Sequence, residues 1–468
     1  MDLTPAQGSA IDTRLRNRND IRPPPVVREG LPLIGPAAAF NRDPLGFLTR
    51  CRDRYGDVFT INLLLYKATF VLGAAAQQRF FAAPKEVLDL DAAIRHVLRS
   101  VVGDPEELTR LYSHSEFMTG VIRRGLTKPE YLERYVEQAT LEARRTFERW
   151  AEQGEIDLFR ECSRLVNFVN IRALLGQDVV AEHGDAIADA YMEIERNALS
   201  LECLVLPKGP LPKQRRTAHA RAELLRILRS IVARRRGEKD GNDYLSLLLQ
   251  QTMPDGRPIG VDSVAVHLIL IFFAAHTNTT GTLGWLLTFV LQRPEIRTRL
   301  VQEQERYRAA HGEAFAYEDL KDLELLDSCM REAVRMRFCV MLIRQAAAPY
   351  PESGYVIPEG ATVCVSPILT HLDPSIYPRP DHFDPDRFAD AQRRRQLQRD
   401  CAYVQFGFGL HRCLGEMFAN AVLKPSWSLL LRHYEITLVD ESLPPPDWSK
   451  SLGTPFPVTP VKVRVKRR

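Results

Sequence analysis

The segment Phe406-Gly407-Phe408-Gly409-Leu410-His411-Arg412-Cys413-Leu414-Gly415 decides how this chain folds. Three glycines surround one cysteine, and the segment runs into a helix expected to begin near Glu416. Glycine reaches positive φ and lets backbone come close to a flat partner. A thiolate near a helix N-terminus is favoured by the helix dipole, so the loop suits a sulfur ligand offered to a large planar cofactor. His411 and Arg412 could then meet anionic groups. A lone cysteine in a turn is more often a small buried residue; the spacing of the glycines around Cys413 reverses that preference.

Two elements upstream bear on the same chemistry. In Glu332-Ala333-Val334-Arg335 the acid and the base lie at i and i+3 on one helix face. An exposed pair of this kind is worth only ~0.3–0.5 kcal/mol and is common on solvated helices. The longest apolar stretch, Leu268 to Ala275, is too short to span a bilayer and runs into His276-Thr277-Asn278-Thr279-Thr280, which reads as the middle of a buried helix. Imidazole titrates near neutrality and a hydroxyl both donates and accepts, so His276 and Thr277 can relay protons. The plainer reading is that they bond carbonyls or water within the helix.

Together these segments resemble the cytochrome P450 family. Its haem loop, F-x-x-G-x-x-x-C-x-G, is matched at Phe406, Gly409, Cys413 and Gly415. The resemblance implies that Cys413 is the proximal thiolate of haem iron, pushing electron density toward the metal. It also implies that Phe406 shields the sulfur and that His411 and Arg344 contact the haem propionates. Glu332, Arg335 and Arg387, the last in Phe383-Asp384-Pro385-Asp386-Arg387-Phe388, correspond to the family's buried structural triad. Ala274, His276 and Thr277 fall on the glycine, the acid and the threonine of the oxygen-binding helix, so the usual acid is replaced by histidine. The implied fold is mainly α with small β-sheets, a triangular helical prism enclosing haem b (iron protoporphyrin IX). Residues 26–468 would be one catalytic domain behind a polar, poorly ordered leader, 1–25.

Within the family the histidine-threonine pair is similar to that of the sterol 14-alpha-demethylases. So are Val363-Cys364-Val365-Ser366-Pro367, Ala402-Tyr403-Val404, Trp427-Ser428, Asp255-Gly256-Arg257-Pro258 and the ending Lys466-Arg467-Arg468. Departures fall on the substrate side. The group's aromatic signature is missing from Leu88 to Glu116, where the chain reads Ala92-Ala93-Ile94-Arg95-His96-Val97-Leu98, and Phe338-Cys339 replaces its Pro-Pro. The segments expected near substrate are Ala93 to Val101 (Ile94, Val97, Leu98), Leu199 to Leu206, Leu268 to Thr277 (Phe273, Ala274), Cys339 to Ile343 (Val340, Leu342) and Leu452 to Pro455.

Composition agrees with a soluble globular chain: of 468 residues, 45% are hydrophobic and 26% charged. The excess of 63 Lys+Arg over 59 Asp+Glu is only +4, which gives no reason to expect a nucleic-acid surface. The arginine runs Arg234 to Arg236 and Arg393 to Arg395 read as solvated faces. Eight scattered cysteines point to reduced thiols in the cytoplasm, and the polar first 25 residues contain no signal peptide or membrane anchor. The helical apolar spacing marks 128–152, 216–237, 262–293, 294–310, 326–336 and 415–433. Residues 354–365 read as a hairpin closed near Pro358-Glu359-Gly360, and Lys462 to Arg468 as a terminal edge strand.

No GxGxxG follows a strand and no Walker loop is present, so redox equivalents must come from outside. The expected activity is therefore oxidation of a lipophilic small molecule by O2, hydroxylating it or repeating the oxidation toward C–C cleavage. A separate ferredoxin-type donor and its reductase would supply electrons, docking near Arg123, Arg124, Lys128 and Arg412. A sterol 14-alpha-demethylase proper is one alternative. Others are an isomerase or peroxide-using enzyme, against which Thr277 argues, and a non-catalytic haem sensor or carrier.

Overall fold

The computed structural model describes residues 22–29, 36–63, 66–103, 105–198, 209–237, 243–449 and 453–468. The expected substrate segment Leu199 to Leu206 lies wholly outside these residues, as do Leu452, the side chain of His96 and most of the leader. Helices dominate. The longest, Val261–Leu291, starts after Gly260 and is apolar nearly all round, so it is buried on almost every side. Arg293-Pro294 ends that direction of chain, and Pro294 serves as the first residue of the next helix, Pro294–His311. Among the described residues Val261–Leu291 has the length and composition to cross a membrane, yet it is the core helix of this protein.

Around it lie Pro129–Gln153, Leu158–Leu175, Glu324–Met336 and Glu416–His433. Their apolar faces meet in one cluster that buries Trp150, Trp285 and Trp427. Tyr135 meets Phe418 edge-on at 4.9 Å, joining the Pro129–Gln153 helix to the one behind the cysteine loop. A second cluster joins the N-terminal half of Val261–Leu291 to Gln177–Ala198 and Pro212–Arg235.

The strands are β1 (Val58–Leu63), β2 (Tyr66–Val71), β3 (Leu88–Asp89), β4 (Glu155–Asp157) and β5 (Leu342–Ala346). They continue with β6 (Tyr350–Glu352), β7 (Tyr355–Ile357), β8 (Thr362–Val365), β9 (Tyr434–Leu438) and β10 (Lys462–Arg467). The main sheet has the order β1-β2-β8-β5-β3, with β2 and β8 parallel and its other neighbours antiparallel.

Two strand expectations are corrected. Residues 354–365 do not form a hairpin. β7 turns back on β6 through Ser353 and Gly354, both at positive φ, while β8 leaves for the main sheet. Likewise β10 is not an edge strand but lies between β4 and β9. Its alternation explains the position: Val463 and Val465 are fully buried while Lys462, Arg464 and Lys466 face solvent.

Candidate active site

The cysteine loop is closed by its own backbone. Cys413 N–H donates to the Phe406 carbonyl at 2.7 Å, and Gly407 N–H donates to Val404 O at 3.0 Å. Gly407 sits at φ +70°, and a Cβ there would lie 2.6 Å from the His411 carbonyl oxygen, so only glycine fits. The helix Glu416–His433 starts directly behind the loop. Of the described cysteines, Cys413 alone is exposed; the other six are buried. The Gly415 N–H bonds toward its sulfur and favours the thiolate, while the protein crowded around the thiol, one side of which stays open, pushes its pKa up more strongly.

Arg344, on β5, is 1% exposed, and its guanidinium donates to the Phe80 carbonyl at 2.5 Å and lies 4.6 Å over the Phe80 ring. Among the described residues it makes no ion pair with a carboxylate, and burial pulls its pKa down to about 10. The charge of Arg344 also depresses the His411 imidazole, second to burial, while Asp91 opposes it. A buried guanidinium with carbonyl partners but no carboxylate is suited to an anion, and the neighbouring imidazole can donate a hydrogen bond to the same group. A soft sulfur donor, a glycine-cleared backbone and a buried guanidinium beside an imidazole fit an iron porphyrin with acidic side chains.

Glu332 and Arg335 are both 0% exposed and joined in a bidentate pair at 2.7 and 2.9 Å. Arg335 also donates to the carbonyls of His371 at 2.8 Å and Pro380 at 2.7 Å. Arg387 approaches Glu332 at 3.4 Å, an ion pair rather than a directed hydrogen bond, and Glu332 also accepts Asp384 N–H at 3.0 Å. The three charges thereby tie Glu324–Met336 to the segment leading into the cysteine loop.

Along the middle of Val261–Leu291 the accessible positions Leu270, Phe273, Ala274, Thr277 and Asn278 recur at helical spacing and, with the partly buried Ala275, form one stripe between buried residues. Thr277 Oγ1 donates to Glu195 Oε1 at 2.5 Å, and His276 Nδ1 lies 2.7 Å from that same oxygen. His276 is fully buried; its Nε2 is 3.1 Å from both the hydroxyl and the carbonyl oxygen of Ser163. The neutral ring can accept from the hydroxyl and the charged ring can donate to the carbonyl, so both forms have partners. Glu195 and Ser163 also line a surface cleft of about 320 Å³ beside Arg160 and Phe456.

Glu195 is the residue that reading the sequence missed. It sits on Gln177–Ala198 among Glu182, Asp185, Asp189 and Glu193, with no local pattern to set it apart. Of the expected pocket residues, Ile94, Phe273, Ala274 and Leu342 remain accessible. Val97 and Val340 are instead packed with Phe59 and Phe70, and Leu98 with Val101 and Leu268, so these three serve the apolar core.

A family model described as Cytochrome P450 matches residues 23–465, and the chain belongs to that family. It is a cytochrome P450 monooxygenase, with haem as its cofactor and O2 and redox partners as the family's co-reactants. It is 31% identical to the lanosterol 14-alpha demethylase of Rattus norvegicus over 95% of this chain and 88% of that protein. It is 30% identical to the sterol 14-demethylase of Arabidopsis thaliana over 92% of this chain and 88% of that one. Among solved structures, retinoic acid-bound cyanobacterial CYP120A1 superposes with a TM-score of 0.77 over 96% of this chain and all of that one, at 23% identity.

Proposed function

We propose that this monooxygenase binds haem b through Cys413 and inserts one oxygen atom of O2 into a C–H bond of a bulky lipophilic molecule. Haem, when bound, supplies O2 activation: one oxygen atom enters the substrate and the other leaves as water, at the expense of two electrons and two protons. The loop residues Phe406, Gly409 and Gly415 surround the sulfur, while Arg344 and His411 balance the propionates. Ile94, Phe273, Ala274 and Leu342 form the wall met by substrate. Residues 26–468 act as one catalytic domain, fed in the cytoplasm by a separate ferredoxin-type donor. The unpaired state of all seven described cysteines suits a reducing compartment.

The observation that carries the reading is the sharing of one carboxylate oxygen, Glu195 Oε1, by Thr277 and His276. A proton entering at the cleft reaches Glu195 directly, or through Ser163 and the His276 imidazole, and passes from Glu195 Oε1 to the Thr277 hydroxyl, which gives up its own proton on the accessible stripe. The test is the ratio of hydrogen peroxide to product per electron in Thr277→Ala. A raised ratio supports the relay, and an unchanged one removes it.

The substrate is proposed to be other than a 14-methyl sterol. The helix Leu90–Val102 offers Ile94 and Arg95 where an aromatic wall is expected, and Arg95 pairs with no carboxylate among the described residues. Its guanidinium suits a carboxylate or other polar end on the substrate. The demethylase relatives favour the second reading, a sterol 14-alpha-demethylase with a rebuilt substrate loop. A spin-state titration with lanosterol, retinoic acid and long-chain fatty acids separates the two: tight lanosterol binding with loss of its 14-methyl group would establish the sterol reading.

A further inference from the structure

Tyr244 and His267 form a buried pair that the oxidation chemistry above leaves unused. His267 lies on Val261–Leu291 upstream of His276, and Tyr244 opens the helix Tyr244–Leu249. Both side chains are buried, and the Tyr244 hydroxyl stands 2.7 Å from His267 Nε2 with the rings stacked at 6.0 Å. Burial holds the imidazole neutral, its pKa lowered to about 4, and keeps the phenol protonated. A phenol is a far stronger acid than a neutral imidazole, so the Tyr244 O–H donates to Nε2.

Aromatic residues lead from this pair toward the cysteine loop. Phe418, on the helix that starts behind Cys413, meets the Tyr135 ring edge-on at 4.9 Å. Tyr135 donates to the Gly125 carbonyl at 2.6 Å. The Tyr244 ring packs against the same glycine so closely that a Cβ there would lie 2.5 Å from it. Tyr131, half-buried and 6.3 Å from Tyr135, continues the line outward.

We propose that Tyr244 is a one-electron relief site: when O2 is activated with no substrate in place, it gives an electron to the haem site and its hydroxyl proton to His267. The electron passes by way of Tyr135 and Phe418. Tyr244 becomes a neutral phenoxyl, His267 an imidazolium, and the haem site is reduced by one electron. A second electron from the redox partner, with two protons from solvent, converts the remaining oxygen atom to water. A further electron from the same partner reduces the phenoxyl, and the proton returns from Nε2. The inference uses the haem at Cys413 and no part of the substrate reading.

The proton acceptor is what selects Tyr244. Removing an electron from a phenol makes it a strong acid, so its proton must pass to a base already held in place. Tyr135 faces a carbonyl, which is no base. Tyr191 also lies against a buried histidine, edge-on to His276 at 5.1 Å, but its hydroxyl has no hydrogen-bond partner among the described residues. Tyr307 lies 4.7 Å from the His311 ring with its hydroxyl equally unpartnered.

The test mixes the ferric, haem-loaded protein with peracetic acid in the absence of substrate, freezes it within milliseconds and records the EPR spectrum. Peracetic acid delivers the same two oxidising equivalents without a redox partner. The wild type is expected to show an organic radical whose line narrows when ring-deuterated tyrosine is incorporated, a comparison that needs no variant. Tyr244→Phe should lose that signal and bleach its Soret band faster. His267→Gln keeps the phenol but removes the base, and should slow radical formation ~10²-fold. Tyr191→Phe is expected to leave the signal in place. An unchanged carbonyl-complex spectrum in each variant shows that haem and fold are retained. The proposal is overturned if the Soret band reacts but no tyrosine radical appears, or if the signal survives in Tyr244→Phe. It is equally overturned if His267→Gln forms the radical at the wild-type rate, or if Tyr191→Phe abolishes it.

Discussion

The two faces of the site are assembled in opposite ways. On the thiolate side, the closing hydrogen bonds run between residues a few positions apart, such as Phe406 to Cys413 and Val404 to Gly407. On the opposite side, His276 meets Ser163 across 113 positions and Glu195 across 81, so three helices must be in place before the cluster exists. A local loop keeps its shape while the surrounding helices shift; a cluster shared between helices registers their movement. The thiolate side is therefore built for constancy and the proton side for adjustment.

The largest effect should come from breaking the local side. Cys413→Ser is expected to abolish the red-shifted Soret band of the reduced carbonyl complex, because a hydroxyl is a poor substitute for a thiolate donor. Survival of that band would mean that another residue binds the iron. The distributed side should fail more gently. Thr277→Ala and Glu195→Gln are each expected to lower product formed per electron, by up to ~10²- to 10⁴-fold, without weakening substrate binding. Because both act at one carboxylate oxygen, the double variant should lose far less than the product of the single losses. Multiplicative losses would show that the two groups work independently.

The Glu332–Arg335–Arg387 network ties Glu324–Met336 to the segment that leads into the cysteine loop. Removing one partner leaves a buried charge uncompensated, so Glu332→Gln should cost about 3–5 kcal/mol of stability in denaturant unfolding. Stability within about 0.5 kcal/mol of wild type would remove the network from the fold's foundations.

The smallest effect concerns acid. Burial holds His267 neutral, its pKa lowered to about 4, and burial with the nearby Arg335 lowers His371 to about 3. Unfolded histidine titrates near 6.5, so the unfolded chain takes up protons first as pH falls. Their stabilising contribution is complete above pH 6.5 and declines from there down to the folded values. By pH 5.5 the loss should be about 1.4 kcal/mol for each, seen as a falling Tm that is less steep in His267→Gln.

The legible parts of the molecule follow from the same division. The cysteine loop could be read because its glycines, thiol and helix start lie in consecutive positions. The long helices could be read because burial imposes a helical period. Glu195 could not, since its role depends on how Gln177–Ala198 crosses Val261–Leu291, and nothing in its own neighbourhood differs from a solvated helix face. Val97, Leu98 and Val340 were beyond reach for a related reason: the lining of a cavity and ordinary core both demand apolar residues. The strand at 462–467 shows the same limit, because buried valines alternating with lysine and arginine fit an edge or a centre equally until β4 and β9 take their places.

The buried thiols give the chain a built-in clock for opening. Burial pushes Cys51 and Cys401 up to about 11 and Cys339 up to about 12, and drives Cys162, Cys329 and Cys364 upward as well. Near neutral pH these six are almost wholly protonated and shielded, so an alkylating reagent reaches them only when the surrounding helices or strands part. Cys51 and Cys364 share one apolar cluster, Cys162 and Cys329 another, and Cys339 and Cys401 a third. The order in which the six are labelled over time would thus chart which layer of the molecule loosens first.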